Sequence, residues 1–389
     1  MGWSVVRPTG LTHHRKEYSI KGYTLITPLA GYATYLLDMQ GHIVHEWKHN
    51  FILPLFAKLL PNGNLMVIGT HKSLSPPHQP SSERTSHSLG NHVRQLGGAA
   101  STLQELDWDG NLIWSYDNPF IHHDFCRLDN GNTLIPEWVA LPDEISHKVK
   151  GGRKRPRKQI PPMLGDDIIE VDMTGNTISR WETWKLFDPR KDPICPLESR
   201  SEWTHLNSVD QQSNGDIVIS CRINHRIAII DRQSKQFIWK YGEGILGHQH
   251  HATALANGNV QVFDNGLHTH DLPTSRVIEI NPRTNDIEWQ YNAVPKTQFF
   301  SAHLSGVQRL AHGNVLICEG TGGRILEISH TGDPVWEWIS PFLHEMPNYG
   351  VINWLYRAYR YNLDHPAFSD KCLEGQAYGN LNREYGLSK

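Results

Sequence analysis

Leu106-Asp107-Trp108-Asp109-Gly110-Asn111-Leu112-Ile113-Trp114, followed by Cys126-Arg127-Leu128-Asp129-Asn130-Gly131-Asn132-Thr133-Leu134, is the stretch that decides the fold. Each half reads as two short strands around a tight turn, because Asp-Gly and Asn-Gly supply the positive φ that hairpin turns require. A single hairpin is marginally stable, whereas two in succession make a four-stranded sheet with a face to bury.

The same phrase recurs along the chain. The first hairpin type returns at Tyr35 to Trp47 around Gly41, Ile169 to Trp181 around Gly175, Ile227 to Trp239, Val277 to Trp289 and Ile325 to Trp336, making six copies. The second returns at Asn62-Gly63-Asn64, Asn214-Gly215-Asp216, Asn257-Gly258-Asn259 and His312-Gly313-Asn314, making five. A period of roughly 40 to 50 residues is the signature of a propeller or solenoid. The expected fold is therefore an all-β, six-bladed β-propeller with four-stranded blades, which hides nearly every strand edge. One hairpin is missing, so Tyr23 to Pro28, joined by the C-terminal run Val351 to Tyr361, is expected to complete a blade and tie the chain ends together. The Trp that closes each first-type hairpin is expected to pack between blades.

The chain is read as a single propeller domain over 1–389, with blades over about 22–361, insertions at 70–100 and 141–162, and a tail at 362–389. A formal charge of −3 argues against a general nucleic-acid binder, and no apolar run is long enough to span a bilayer. The start lacks a charged segment followed by an apolar one, so no secretory signal is read and a cytoplasmic location is expected. Cys126, Cys195, Cys221, Cys318 and Cys372 are odd in number and scattered, which fits reduced thiols. Both insertions follow a second-type hairpin and are expected to overhang the channel mouth as lids or loops. The second carries Lys148, Lys150, Arg153, Lys154, Arg155, Arg157 and Lys158, a run that suits either an anionic substrate or a solvated loop.

Histidine is abundant, at 24 residues, and four innermost strands begin with one: His123, His205, His250 and His303. Each lies an even number of residues before its turn glycine. Side chains alternate with period two along a strand, so all four are expected to point the same way at the channel mouth. An unpartnered buried imidazole cluster is costly, which argues for a functional site.

The run His205-Leu206-Asn207-Ser208-Val209, leading to Ile219-Ser220-Cys221-Arg222 and Ile229-Ile230-Asp231, then Gln249-His250 and Phe263-Asp264-Asn265-Gly266, resembles the aryl-sulfate sulfotransferase family of six-bladed propellers. The resemblance covers about Gly22 to Tyr361. It implies transfer of a sulfuryl group from an aryl sulfate to a phenol through a sulfohistidine, without a nucleotide donor or another cofactor. Carried over, His250 is the nucleophile, with His123, His205 and Arg222 around the transferred sulfate; His303, His251, Asn207 and Asn265 are expected as substrate-binding residues. The implied partner is a small aromatic molecule. A structural role for Arg222, as an ion pair, is the alternative.

Two other readings follow from the same residues. His123, His205, His250 and His303 are a plausible donor set for a divalent transition metal in a lyase, hydratase or oxygenase, with Asp124, Asp264, Glu137 and Glu319 completing or orienting it. A propeller also serves as a non-catalytic binding scaffold, because fold alone does not fix function.

Overall fold

The computed structural model describes residues 8–71, 89, 92–153, 162–269 and 271–387. Strands dominate, arranged in six small antiparallel sheets, and the fold is a six-bladed β-propeller. Residues cluster by contact into two compact units: Met1–Gly69, Leu103–Trp114 and His303–Lys389 form the first, Thr70–Thr102 and Ser115–Ala302 the second.

In the first unit, the sheet predicted to lack a hairpin is built as expected. Leu355–Tyr361 pairs antiparallel with Tyr23–Pro28, which pairs with Ala33–Leu37 and then Ile43–Lys48. A further strand was not apparent in the sequence. Gly10–His14 adds to the outer edge of the sheet of Gly306–Arg309, Val315–Glu319, Arg324–Ile328 and Pro334–Ile339, making it five-stranded. N-terminal and C-terminal segments thus each enter a sheet of this unit. The tail adds a latch, in which Asn382 accepts from the Ile43 amide at 2.7 Å and donates to the Ile43 carbonyl at 3.0 Å. The third sheet of this group comprises Ile52–Leu59, Leu65–His71, Thr102–Leu106 and Leu112–Asp117. Trp47 donates to the Asp107 carbonyl at the end of this sheet's third strand at 3.2 Å; of the hairpin-closing tryptophans, Trp47, Trp181 and Trp336 are buried, whereas Trp114, Trp239 and Trp289 are partly exposed.

The second unit holds three sheets. They are Cys126–Arg127, Thr133–Ala140, Leu164–Val171 and Thr177–Trp181; then Leu206–Gln211, Ile217–Cys221, Arg226–Ile230 and Phe237–Tyr241; then His250–Ala254, Val260–Asp264, Arg276–Ile280 and Ile287–Tyr291. Their first strands are laced together by side chains. Ser208 Oγ accepts from the Ala252 amide at 2.9 Å, and Asp210 from the Ala254 amide at 2.9 Å.

Why the turns recur is visible in their hydrogen bonds. Gly63, Gly131, Gly215, Gly258 and Gly313 all have φ between 83° and 96°, which an L side chain rarely adopts. The asparagine after the glycine then donates to a glutamate on the third strand: Asn64 to Glu105, Asn132 to Glu170, Asn259 to Glu279 and Asn314 to Glu327, each at 2.7 or 2.8 Å. The remaining turn has Asp216 instead, and its carboxylate accepts from the Arg232 amide at 3.1 Å.

Of the two insertions, 72–88, 90–91 and 154–161 lie outside the described residues, and with them Lys154, Arg155, Arg157 and Lys158. The described part of the second insertion is anchored. Gly151–Arg153 runs parallel to Ile194–Ser199, and Arg200 donates to the carbonyls of Ser146, Val149 and Gly151. At the end of the first insertion, Val93 is fully buried against Trp138 and Leu164.

Candidate active site

The site is built within the second unit, at the ends of the first strands. His250 opens the strand His250–Ala254 and is buried. Its Nδ1 lies 2.7 Å from Asn265 Oδ1 and 3.0 Å from the His248 carbonyl. Asn265 Nδ2 donates to the Ser301 carbonyl at 2.7 Å, which leaves Oδ1 as the acceptor facing the ring. Nδ1 therefore carries the proton and Nε2 the lone pair, the tautomer fixed by its partner. Gln249 holds the segment from behind, donating to Ser220 Oγ and to the carbonyls of Cys221 and Arg226, while Asn207 Nδ2 donates to the Gln249 carbonyl at 2.8 Å. Asn207 and Asn265 thus act here on the histidine segment.

His205 precedes the strand Leu206–Gln211. Its Nδ1 lies 2.8 Å from Glu202 Oε2, which also accepts from Trp138 Nε1 at 3.0 Å. This is a carboxylate–imidazole dyad in a dry setting, with the ring oriented by its acid partner. The His123 ring meets it edge-on at 4.4 Å between centroids. His123 Nδ1 lies 2.8 Å from His122 Nδ1, and His122 Nε2 lies 3.2 Å from Asp166 Oδ1, close enough for electrostatic pairing though not aligned as a hydrogen bond. Burial would raise the Asp166 pKa, but His122, Thr204 Oγ1 and the Leu206 amide together hold it below the ordinary carboxylate value. Gly98, with φ of 75°, lies against His123: an added Cβ would sit 2.2 Å from His123 Nε2. Only glycine fits there, so the insertion's end covers this imidazole.

Arg222 lies just past the strand Ile217–Cys221, and its amide donates to the His205 carbonyl at 3.0 Å. Its guanidinium is buried and pairs with Glu198 Oε1 at 3.0 Å, so the ion-pair alternative describes part of what it does. Burial opposes ionisation of Glu198, yet the positive charge of Arg222 and its hydrogen bond, with His205 and His268 contributing, keep the carboxyl below its usual value. Glu198 Oε1 is also 3.6 Å from His248 Nδ1. Glu198 is thus the group that Arg222, His205 and His248 share.

Among the site residues expected from the sequence, the structure joins His123 to His205, His205 to Arg222, and Asn207 and Asn265 to the His250 segment. His251 is buried in left-handed backbone beside His250. His303 begins the last segment of the first unit and is described with that unit. The acidic residues suggested as a supporting shell have other work. Asp124 accepts from the Phe125 and Val209 amides, Asp264 from the Gly247 amide and Arg276, Glu137 from Asn118 and Arg180, and Glu319 from Arg324. Among the described residues, the metal-ligating atoms that come within 4.8 Å of one another are those of Cys195, His248 and His268, which is not the histidine set expected.

A family model, Arylsulfotransferase (ASST), matches residues 90–341, more than half of the chain. The chain belongs to the arylsulfotransferase family. No curated protein matches the sequence. Among solved structures, the chain is similar to a protein of unknown function from Bacteroides caccae, at 13% identity and a TM-score of 0.53, covering 87% of this chain and 98% of that one. It is also similar to virginiamycin B lyase from Staphylococcus aureus, at 11% identity and a TM-score of 0.45, covering 85% and 83%. The first of these likenesses bears on the fold alone. The matched segment of this ASST-family chain includes Ser115–Ala302 of the second unit, and with it His123, His205, Arg222, His250 and Asn265.

Sequence reasoning missed Glu202, Glu198, Asp166 and His122. Glu198 and Glu202 fall on or just after Ile194–Ser199, a strand with no counterpart in the repeat, so periodicity could not single them out. His122 stood beside His123 in the sequence, and the adjacent pair was the available signal. Family membership makes the protein a transferase-type enzyme, and no helix among the described residues is long and apolar enough to cross a membrane.

Proposed function

We propose that this protein transfers a sulfuryl group from an aryl sulfate to a phenolic acceptor, with His250 as the covalent relay. The observation that carries the reading is the pairing of His250 Nδ1 with Asn265 Oδ1, which makes Nε2 the nucleophilic nitrogen of a neutral imidazole. In the first half-reaction the Nε2 lone pair attacks sulfur, the sulfur–aryl oxygen bond breaks, and the departing oxygen takes a proton. The sulfated ring is then cationic, and its Nδ1–H points at two acceptors, Asn265 Oδ1 and the His248 carbonyl, which stabilise the charge. His205, oriented by Glu202, supplies the proton to the leaving phenolate, and in the second half-reaction takes it from the acceptor phenol as that oxygen attacks sulfur and frees His250.

Sulfuryl transfer, like phosphoryl transfer, spreads charge over equatorial oxygens, and Arg222 is the buried cation beside the dyad. His123, boxed between His122, His205 and Gly98, positions the His205 ring. Family membership supports a small aromatic substrate. The test is release of phenol from a chromogenic aryl sulfate, with and without a phenolic acceptor, by the wild type and His250→Ala. Acceptor-stimulated release by the wild type and its loss by at least about a thousandfold in the variant, as befits removal of a nucleophile, are expected. Equal activity of the two proteins overturns the assignment.

A further inference from the structure

Close in sequence to His250, a second cluster of ligating side chains uses groups that the transfer chemistry leaves free, since only the backbone carbonyl of His248 serves that chemistry. Cys195 sits on the strand Ile194–Ser199, His248 two residues before His250, and His268 after Gly266 at the end of the sheet that contains His250. Their ligating atoms all lie within 4.8 Å of one another, and Cys195 Sγ is 3.4 Å from His268 Nδ1. A tetrahedral zinc with Zn–S of about 2.3 Å and Zn–N of about 2.1 Å has an S···N edge of about 3.6 Å. The existing separation needs little change to accept the ion.

A second observation is independent of that geometry. His248 has no exposed surface, and among the described residues neither of its ring nitrogens finds a hydrogen-bond partner. Buried polar nitrogens are nearly always satisfied, so two orphans on one ring call for a missing ligand. The rings of His268 and His225 meet His248 edge-on at 4.5 and 4.6 Å, and His225 Nε2 is likewise buried without a hydrogen-bond partner. His225, His248 and His268 all have φ between 55° and 61°, backbone that costs energy for a residue with a side chain.

We propose that Cys195, His248 and His268 form a binding site for a zinc-like divalent cation. One thiolate with two imidazoles is a donor set for zinc rather than for calcium or magnesium, which take oxygen ligands. On binding, the Cys195 thiol gives its proton to solvent and the sulfur–metal bond forms, with no change of oxidation state. Glu198, 3.6 Å from His248 Nδ1, supplies a nearby negative charge. The site sits outside the roles given to His250 and His205, and its test does not depend on sulfuryl transfer.

The experiment uses untagged full-length protein, stripped with a chelator and titrated with Zn²⁺ or Co²⁺ alone. The wild type is expected to retain one zinc per chain after dialysis, to gain thermal stability with zinc, and to show a thiolate-to-cobalt charge-transfer band with Co²⁺. Cys195→Ser and His268→Ala should each weaken zinc binding at least about 100-fold, the upper end of what removing a mere supporting group costs. Cys195→Ser should lose the charge-transfer band, while Cys372→Ser, at an exposed cysteine, should keep it. Absence of the band in the wild type, or zinc retention unchanged in Cys195→Ser, overturns the proposal. His268→Ala guards against a folding failure at Cys195, because His268 lies in a turn and is partly exposed.

Discussion

Replacing Asn265 with leucine keeps the bulk of a fully buried side chain and removes two hydrogen bonds, one to His250 Nδ1 and one to the Ser301 carbonyl, each 2.7 Å long. In the resting enzyme the bond to His250 joins neutral groups and is worth about 1 kcal/mol net, whereas a bond to a cationic ring is worth about 1.5–3 kcal/mol. The difference of about 0.5–2 kcal/mol is lost only as charge develops on the ring, so it falls on the chemical step. With about 1.4 kcal/mol per factor of ten, kcat drops about twofold to thirtyfold from charge alone. Loss of tautomer control extends this towards about a hundredfold, because the side-chain acceptor that favours the proton on Nδ1 is gone. KM for the aryl sulfate should change by less than about threefold. Asn265→Asp keeps an acceptor opposite Nδ1 and should retain more activity than the leucine variant, although both lose the donor to Ser301. Steady-state phenol release, with far-UV circular dichroism to establish folding, is the assay. A folded Asn265→Leu enzyme with kcat within about twofold of the wild type would refute the argument that this amide sets up the nucleophile.

Glu202→Gln removes the carboxylate that orients His205 while keeping an oxygen at the position of Oε2, 2.8 Å from His205 Nδ1. Activity should fall by about 10- to 100-fold, and more for aryl sulfates whose phenols are poor leaving groups, measured as a steeper dependence of rate on phenol pKa. Elsewhere, His45 lies stacked on Trp108 with Nε2 3.0 Å from the Trp108 carbonyl, and burial lowers its pKa to about 4. The folded state therefore resists protonation that the unfolded chain accepts at about 6.5. The stabilisation is complete above that value and fades as pH falls from 6.5 through 4, by ~2 kcal/mol after allowance for partial exposure. Denaturant melts of the wild type and His45→Phe across this window should show a shallower pH slope for the variant; equal slopes would contradict the assignment.

Much of the fold was legible because its repeats are enforced by single residues. Gly131 and its counterparts occupy backbone that other residues resist, and the asparagine beyond each is tied to a third-strand glutamate, so the pattern survives in the sequence. Tyr23–Pro28 and Leu355–Tyr361 were found by counting what the repeat lacked. Gly10–His14 was not, because a strand added to an existing edge leaves no gap in the count. At the site, the histidines at the heads of the first strands were visible, but the period-two argument for their common direction was not sound. His123 and His205 have φ of 59° and 54°, and a left-handed residue resets the alternation that strand counting assumes. Their convergence comes instead from turns that only the folded chain displays. Glu198, Glu202 and Cys195 were silent for a different reason: they belong to the connection between Thr177–Trp181 and Leu206–Gln211, whose position is fixed by tertiary contacts such as those of Arg200 and by no local pattern.

The central claim is that His250 Nε2 becomes covalently sulfated. Mixing the protein with an aryl sulfate in the absence of a phenolic acceptor, quenching at alkaline pH and measuring intact mass and peptide fragments tests it most directly. The account predicts a mass gain of one sulfuryl group, mapped to His250, lost on adding phenol and absent from His250→Ala. Acceptor-dependent turnover with no adduct on His250, or an adduct mapped to another residue, would contradict it.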